Sequence, residues 1–492
     1  MSTKGDSGMA TVPKPLAAPK KASRLRYDLS QIRIKNTISE LADMGKNVRD
    51  KVPFSDLAEF KPVHRDVVQG IQHVERALIK ELLPLRHARM AASPFAFFRG
   101  TDELMAYDLA QQTSTNIPVV IAGDAHIGNF GFYASPERKL LFDVNDFDES
   151  TIGSWDWDVR RLLVSIILAG EQISLDDDDL ADIMRHAVQT YQQIIIECFD
   201  DHSALERYYF STEVESFLTA QAEGASLPKL WRKIKDNAPQ RDSEQVVRKF
   251  TTMDDRGRLV FKENAPRTVH VSDKRFKEID AHLRTYMQTI KPDVAVLLSQ
   301  FHVSDIVRHS VGVGSFGTRC YLVLLTAIDG SHLVLQIKEA LPTRRFQGFD
   351  VTTRFSQDGP DNGERIVTCQ QILQRASDPF LGFYHNDDTG RSFYVRQFRD
   401  MKESLDVSKM DKDDFDTYAR ICALLLARGH AQSPTGAIVR GYGGQKKKLV
   451  NALIDWSTAY AKQVHADYDA FTAAVKDQTL AVPTKEDDDD DE

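Results

Sequence analysis

A chain of 492 residues, 42% hydrophobic and 27% charged, can bury roughly two or three packed units around substantial cores. Its formal net charge of −9 lacks the basic footprint of a duplex-binding protein, and it contains no run of about 18 apolar residues that could span a membrane. Cys198, Cys320, Cys369 and Cys422 stand far apart, without Cys-x-x-Cys or Cys/His spacing, which predicts buried free thiols and a cytoplasmic protein.

Residues 1–24 mix Gly, Pro, Ala and Lys without apolar periodicity, predicting a disordered N-terminus. A helical segment is expected over 25–115. Within it, Val67, Ile71, Val74, Leu78 and Leu82 recur at spacings of three and four, so Arg65–Met90 reads as helix. Residues 116–300 are expected to form a large lobe. There, Val119–Ala122 reads as a buried strand that delivers Gly123 and Asp124. Phe130–Tyr133 and Lys139–Phe142 read as a hairpin, and Trp155–Gln172 as a helix, with further helix in parts of 178–236 and 272–290.

From 301 to 405 the pattern becomes a small β-rich lobe. Gly312, Gly314, Ser315 and Gly317 form a glycine turn, and Cys320–Leu325 and Leu333–Lys338 flank an Asp329-Gly330 hairpin. A helix follows around Glu364–Ala376, then strands around Leu381–His385 and Ser392–Phe398. Residues 406–476 return to helix, and the run of like charges in 477–492 predicts a solvated acidic tail.

The motifs match the needs of phosphoryl transfer, which asks a protein to position groups and neutralise charge. Asp124 and Asn129 have the spacing of a catalytic loop in which the acid takes a hydroxyl proton and the asparagine holds a metal. His126 is a further candidate in that loop, with a backbone-bonding role as its alternative. Asp143, Asp146 and Asp148 are expected to share one face of an extended strand, where clustered carboxylates call for a cation such as Mg²⁺. Gly312, Gly314, Ser315 and Gly317 would cover the phosphates of ATP. Lys338 would pair with phosphates, braced by Glu364, with Glu339 on the opposite strand face. Arg396, Arg399 and Lys402 could contact phosphate or acceptor. Asp158 is expected to anchor the catalytic loop, and Trp155 and Trp157 to pack in the core.

Gly123–Asn129 resembles the His-Gly-Asp-x-His-x-x-Asn loop of aminoglycoside phosphotransferases and choline kinases. Asn145–Glu149 is similar to their Ile-Asp-Phe-Asp-Asp segment, and Trp157–Leu162 to their Trp-Asp-Leu-Ala-Arg-Leu helix. The resemblance implies Asp124 as base, Asn129 and Asp146 as metal ligands, and Asp158 as support. Ala122 replaces the first histidine of that loop. The interval from Asn129 to Asp146 is a few residues long, which leaves the assignment open between Asp143 and Asp146.

Across about residues 60–475 the chain resembles the bacterial domain of unknown function 2252 family. The stretches that carry this are Phe97–Gly100, Gly123–Gly131, Phe142–Glu149, Asp378–Gly382 and Tyr394–Lys402. Kinases have the glycine loop and lysine first; here they come last. The expected fold is therefore α+β, bilobal and protein-kinase-like in circularly permuted order. The expected partners are ATP, Mg²⁺ and an unidentified small-molecule or protein acceptor, with no nucleic acid and no membrane. Nucleotidyl transfer to protein, a non-catalytic nucleotide-binding module and a metal-dependent hydrolase built on Asp124, His126, Asp143 and Asp146 are the alternatives.

Overall fold

The computed structural model describes residues 27–28, 35–210, 212, 243–310, 312, 316–343, 351–352, 361–374, 376–398 and 403–482. Its N-terminal helices are α1 (Ile38–Lys51), α2 (Val67–Glu75), α3 (Leu83–Met90), α4 (Pro94–Gly100) and α5 (Asp102–Leu109). A capping box between Thr37 and Glu40 starts α1, and Ser93 caps α4 through the Ala96 amide. The single helix expected over Arg65–Met90 is broken. The Ile79 amide leaves the helical pattern to donate to Gly317 O at 2.8 Å, and Pro84 opens α3. The five apolar positions named above are still all buried.

Next come β1 (Pro118–Ile121), β2 (Phe130–Ala134), β3 (Leu140–Val144) and β4 (Thr151–Ser154). β2 and β3 form the expected antiparallel hairpin, with Phe132 opposite Phe142. β4, unforeseen in the sequence, pairs antiparallel with β1. It runs directly into α6 (Trp155–Gln172), in which Trp155 through Gly170 are all buried. A helix apolar over most of its circumference belongs at the centre of a bundle, and α7 (Asp177–Asp200) lies beside it.

A six-stranded antiparallel sheet forms the β-rich part. It is preceded by α8 (Ser243–Phe250) and built from β5 (Thr268–His270), followed by α9 (Asp273–Tyr286), then β6 (Phe301–His309), β7 (Cys320–Ala327) and β8 (His332–Ala340). After α10 (Asn362–Leu373) come β9 (Gly382–Asn386) and β10 (Arg391–Gln397). The order across the sheet is β9-β10-β8-β7-β6-β5. The β-rich part thus begins before residue 301, because β5 completes the sheet and α8 and α9 cover its faces. Ile279, Leu283 and Tyr286 of α9 pack with Leu333, Leu335 and Ile337 of β8; Val246 and Val247 of α8 pack with Leu322, Leu324 and Val334.

Alternation along β8 therefore sends Gln336 and Lys338 to the α8 side, beyond Val334. Their cross-strand neighbours on β10 are Arg396 and Tyr394. This polar strip continues an apolar face out to the sheet's edge with the helical part.

The chain closes with α11 (Lys412–Ala431), α12 (Gly436–Gly443) and α13 (Lys447–Lys476). They share one core with α1–α7, the hairpin and α10. The acidic tail starts later than residue 477: Leu480 is 2% exposed, and Ala481 O lies 2.6 Å from His87 Nδ1. Among the described residues, no helix is long and apolar enough to cross a membrane. All four cysteines are buried and free.

Candidate functional site

The loop after β1 is held from below by a buried carboxylate. Asp158, in the first turn of α6, accepts from the Ala122 amide at 2.7 Å and the Gly123 amide at 2.9 Å. His430 of α11 approaches the same carboxylate at 3.2 Å and meets Tyr191 of α7 at 2.8 Å. Gly123 has φ +84°, and an added Cβ would come 2.1 Å from Glu149 O, so only glycine fits. The anchoring role expected of Asp158 is what it performs, and Trp155 and Trp157 lie in the core.

Asp124 follows this turn with its carboxylate partly exposed. Arg161 Nε donates to Asp124 Oδ1 at 2.7 Å, and its Nη2 donates to Phe98 O at 2.8 Å. Asn129 Nδ2 donates to Asp124 O at 2.8 Å and to Oδ2 at 3.3 Å, which leaves its Oδ1 for another partner. His126 serves mainly as a cap. Its Nδ1 accepts from the Gly128 amide at 3.1 Å, so its proton sits on Nε2, 3.7 Å from Asp124 Oδ2. Burial, together with Arg99 and Arg161, drives its pKa well below the ordinary histidine value, so it is a neutral ring.

The carboxylates of the hairpin do not share a face. Asp143 lies within β3 beside Arg428 and Thr212, whereas Asp146, beyond the strand's last residue, interacts with Arg99, Lys338 and Arg396. Asp143 is 4% exposed and faces a cavity of about 260 Å³ with Cys198, Arg207, Thr212 and Arg428 among its walls. Burial pushes the Asp143 carboxyl up to about 7, against the hydrogen bond from Val144 N and the charge of Arg428. It is removed from the proposed ligand set, which leaves Asp146 with Asn129.

Lys338 is 3% exposed, and its Nζ forms an ion pair with Asp148. Glu364, expected to brace it, opens α10 with its amide capped by Asp361, and the groups that act on the Lys338 charge are Asp148, Tyr394, Asp146 and Arg396 rather than Glu364. Tyr394 Oη donates to the other Asp148 oxygen at 2.8 Å. Burial alone would lower the lysine's pKa, but Asp148, Tyr394 and Asp146 outweigh it and the ammonium is held charged. Arg396 Nε donates to Gln336 Oε1 at 2.8 Å, and its charge interacts with Asp146 and Asp148. Glu339, on the opposite face as expected, pairs with Arg319 and Arg391.

Arg365 of α10 fixes the junction. It donates to the carbonyls of Ser150, Asp148 (3.0 Å) and Leu341 (2.9 Å), tying the hairpin's exit to the end of β8. None of Arg365, Arg161 and Tyr394 stood out in the sequence as a site residue, although Tyr394 opens the stretch Tyr394–Lys402. Arg161 could have been suspected from its place in the Trp157–Leu162 motif.

Of the glycine turn, Gly312 (φ +83°) is exposed and its carbonyl accepts from Arg89 at 2.9 Å; Gly317 (φ +103°) packs on Leu78. Gly314 and Ser315 lie outside the described residues, as do Arg399 and Lys402. Among the described residues, no group of three or more His, Cys, Asp or Glu could hold a metal. A cation here would therefore rest on the oxygens of Asn129 and Asp146 and complete its shell from bound phosphate or water.

A family model described as an uncharacterized protein conserved in bacteria, the domain of unknown function 2252, matches residues 76–474. The chain belongs to this family. No curated protein and no solved structure matches it.

Proposed function

We propose that the protein is an ATP- and Mg²⁺-dependent phosphotransferase acting on a hydroxyl-bearing acceptor, with a kinase-like, circularly permuted architecture. The observation that carries this reading is the ion pair between Lys338 and Asp148, which joins positions 190 residues apart. It brings a buried ammonium to the segment that holds Asp146, on the hairpin that starts beside Asp124 and Asn129. The return of α11, whose His430 reaches Asp158, supports the permuted order: the helical part is closed by chain that follows the sheet.

Asp124 accepts the acceptor's hydroxyl proton as that oxygen bonds to the γ-phosphorus. The bond from this phosphorus to the β,γ-bridging oxygen breaks, and ADP leaves. Arg161 and Asn129 hold the two oxygens of Asp124 and so fix the direction of proton transfer. Lys338 and Arg396 offer positive charge to the nucleotide phosphates from neighbouring strands. Asn129 Oδ1 and the Asp146 carboxylate are hard oxygen donors suited to Mg²⁺, which when bound neutralises phosphate charge.

Calorimetric titration with ATP, ADP and GTP, with and without Mg²⁺, tests the reading directly. Mg²⁺-dependent ATP binding is expected, lost in Lys338→Met and Asp146→Asn. Asp124→Asn should bind ATP but fail to transfer γ-labelled phosphate to an acceptor. Unchanged ATP binding by Lys338→Met would refute the assignment, and transfer of an α-phosphate label would replace it with nucleotidyl transfer.

A further inference from the structure

Two arginines reach the catalytic loop from outside it, and they are used differently. Arg161 is fully engaged, holding Asp124, the Phe98 carbonyl and, at 3.7 Å, the sulfur of Met105. Arg99, from the last turn of α4, has a buried Nε with no hydrogen-bond partner. Its guanidinium lies 5.7 Å from the centre of the Phe95 ring, and Nε is 3.6 Å from where a Cβ on Gly128 would sit. It therefore lies over the loop between Asp124 and Asn129, and its charge interacts with Asp124 and Asp146.

Placing a guanidinium there has a cost. Arg99 is half-buried, and its Nε, taken from water without a hydrogen bond, forfeits the hydration of that donor. The two carboxylates that attract it are the proposed base and the proposed metal ligand, the groups that must flank phosphorus during transfer. A tetrahedral anion between them would supply the acceptors Arg99 lacks, in paired charge-assisted hydrogen bonds.

We propose that Arg99 is a catalytic residue of this site: its guanidinium binds the non-bridging oxygens of the transferring γ-phosphoryl group. This rests on the phosphotransferase reading above and extends it to Arg99, the neighbour of the Phe98 carbonyl that holds Arg161. As the acceptor oxygen bonds to phosphorus and the bond to the β,γ-bridging oxygen breaks, charge spreads over the non-bridging oxygens. A fixed cation there stabilises the transition state more than the bound substrate. Because α4 lies in the N-terminal helical segment, that segment would supply part of the active site as well as packing against it.

The test compares nucleotides that differ only at the γ position. The full-length protein and the Arg99→Gln and Arg99→Lys variants are titrated with MgADP, MgATP and MgADP plus aluminium fluoride, and thermal midpoints monitor folding. Arg99→Gln should bind MgADP as the wild type does. It should lose about 10- to 100-fold in affinity for MgATP, the range for a charge-assisted contact, and at least as much for the aluminium fluoride complex. Arg99→Lys, which retains charge without the fork, should fall between them. Equal losses for ADP and ATP, or no loss for either, would overturn the assignment, because a purely structural arginine does not distinguish a γ-phosphate. Wild-type protein that binds no nucleotide would overturn the phosphotransferase reading and this proposal with it. Wild-type binding with an unchanged ATP-to-ADP ratio in both variants would overturn the role of Arg99 alone.

Discussion

Asp143→Asn should make the protein more stable, by an amount that depends on pH. Burial raises the carboxyl from 3.8 to about 7 in the fold. The folded state therefore favours the protonated acid, and its advantage is complete below about pH 4. That advantage is lost as pH rises through 7, where the folded protein must hold a charge the unfolded chain solvates freely. A displacement from 3.8 to about 7, at about 1.4 kcal/mol per pH unit, corresponds to a penalty on the order of 4 kcal/mol at pH 8. Asparagine retains an oxygen for the Val144 amide, which now donates to Asp143 Oδ1 at 2.9 Å, and carries no charge. The groups that act on Asp143 are Arg428 from α11, Tyr133 from β2 and Thr212; the pull of Arg428 is already contained in the net shift, so the gain in the variant at pH 8 is on the order of 4 kcal/mol. Calorimetric melting of both proteins from pH 4 to 8 measures this. The midpoints should coincide near pH 4 and separate steadily, with the variant higher. A difference independent of pH, or a wild type favoured at pH 8, would refute the buried-acid argument.

Asp158→Ala should cost about 3–6 kcal/mol, since it strands two buried amides, and a urea unfolding series would show this; a loss under about 1 kcal/mol would mean the loop re-anchors. Asp148→Asn should destabilise the fold by about 3 kcal/mol by leaving Lys338 buried without its ionic partner. Adding Lys338→Met to that variant should recover part of the loss, which a double-mutant cycle by chemical denaturation measures. Asp146→Asn should abolish Mg²⁺-dependent nucleotide binding while Asp143→Asn leaves it intact; loss of binding in both would restore Asp143 to the site. Arg365→Met should expose the peptide bonds at 148–150 to faster hydrogen exchange, and unchanged protection there would refute its clamping role.

Local pattern sufficed where local chemistry decides the outcome. The Phe130–Val144 hairpin, the helix Trp155–Gln172 and the strand ending near Lys338 all follow from periodicity and turn residues. The direction of Asp143 was misread: it stands three places from Asp146, so the two could not share a face even on one extended strand, and the strand ends at Val144 before Asp146 is reached. What escaped depends on distant chain. Thr151–Ser154 is short and rich in small polar residues, and it becomes a strand only because β1 lies alongside. The break after α2 is set by the carbonyl of Gly317. Spacing alone pointed to Glu364 as the partner of Lys338 and passed over Asp148, because that pairing follows from how the sheet docks on the helical part.

The carboxylate beneath the loop that carries Asp124 and the imidazole that meets it are 272 positions apart. At a synthesis rate of about 5–20 residues per second, Asp158 is joined to the chain roughly 14–54 seconds before that imidazole is made. During this interval Asp158 and the two amides it holds lie in a half-built bundle, without the helix that covers them. Nascent chains stalled short of residue 412 should therefore be the species that chaperones and proteases engage, and release should coincide with emergence of α11.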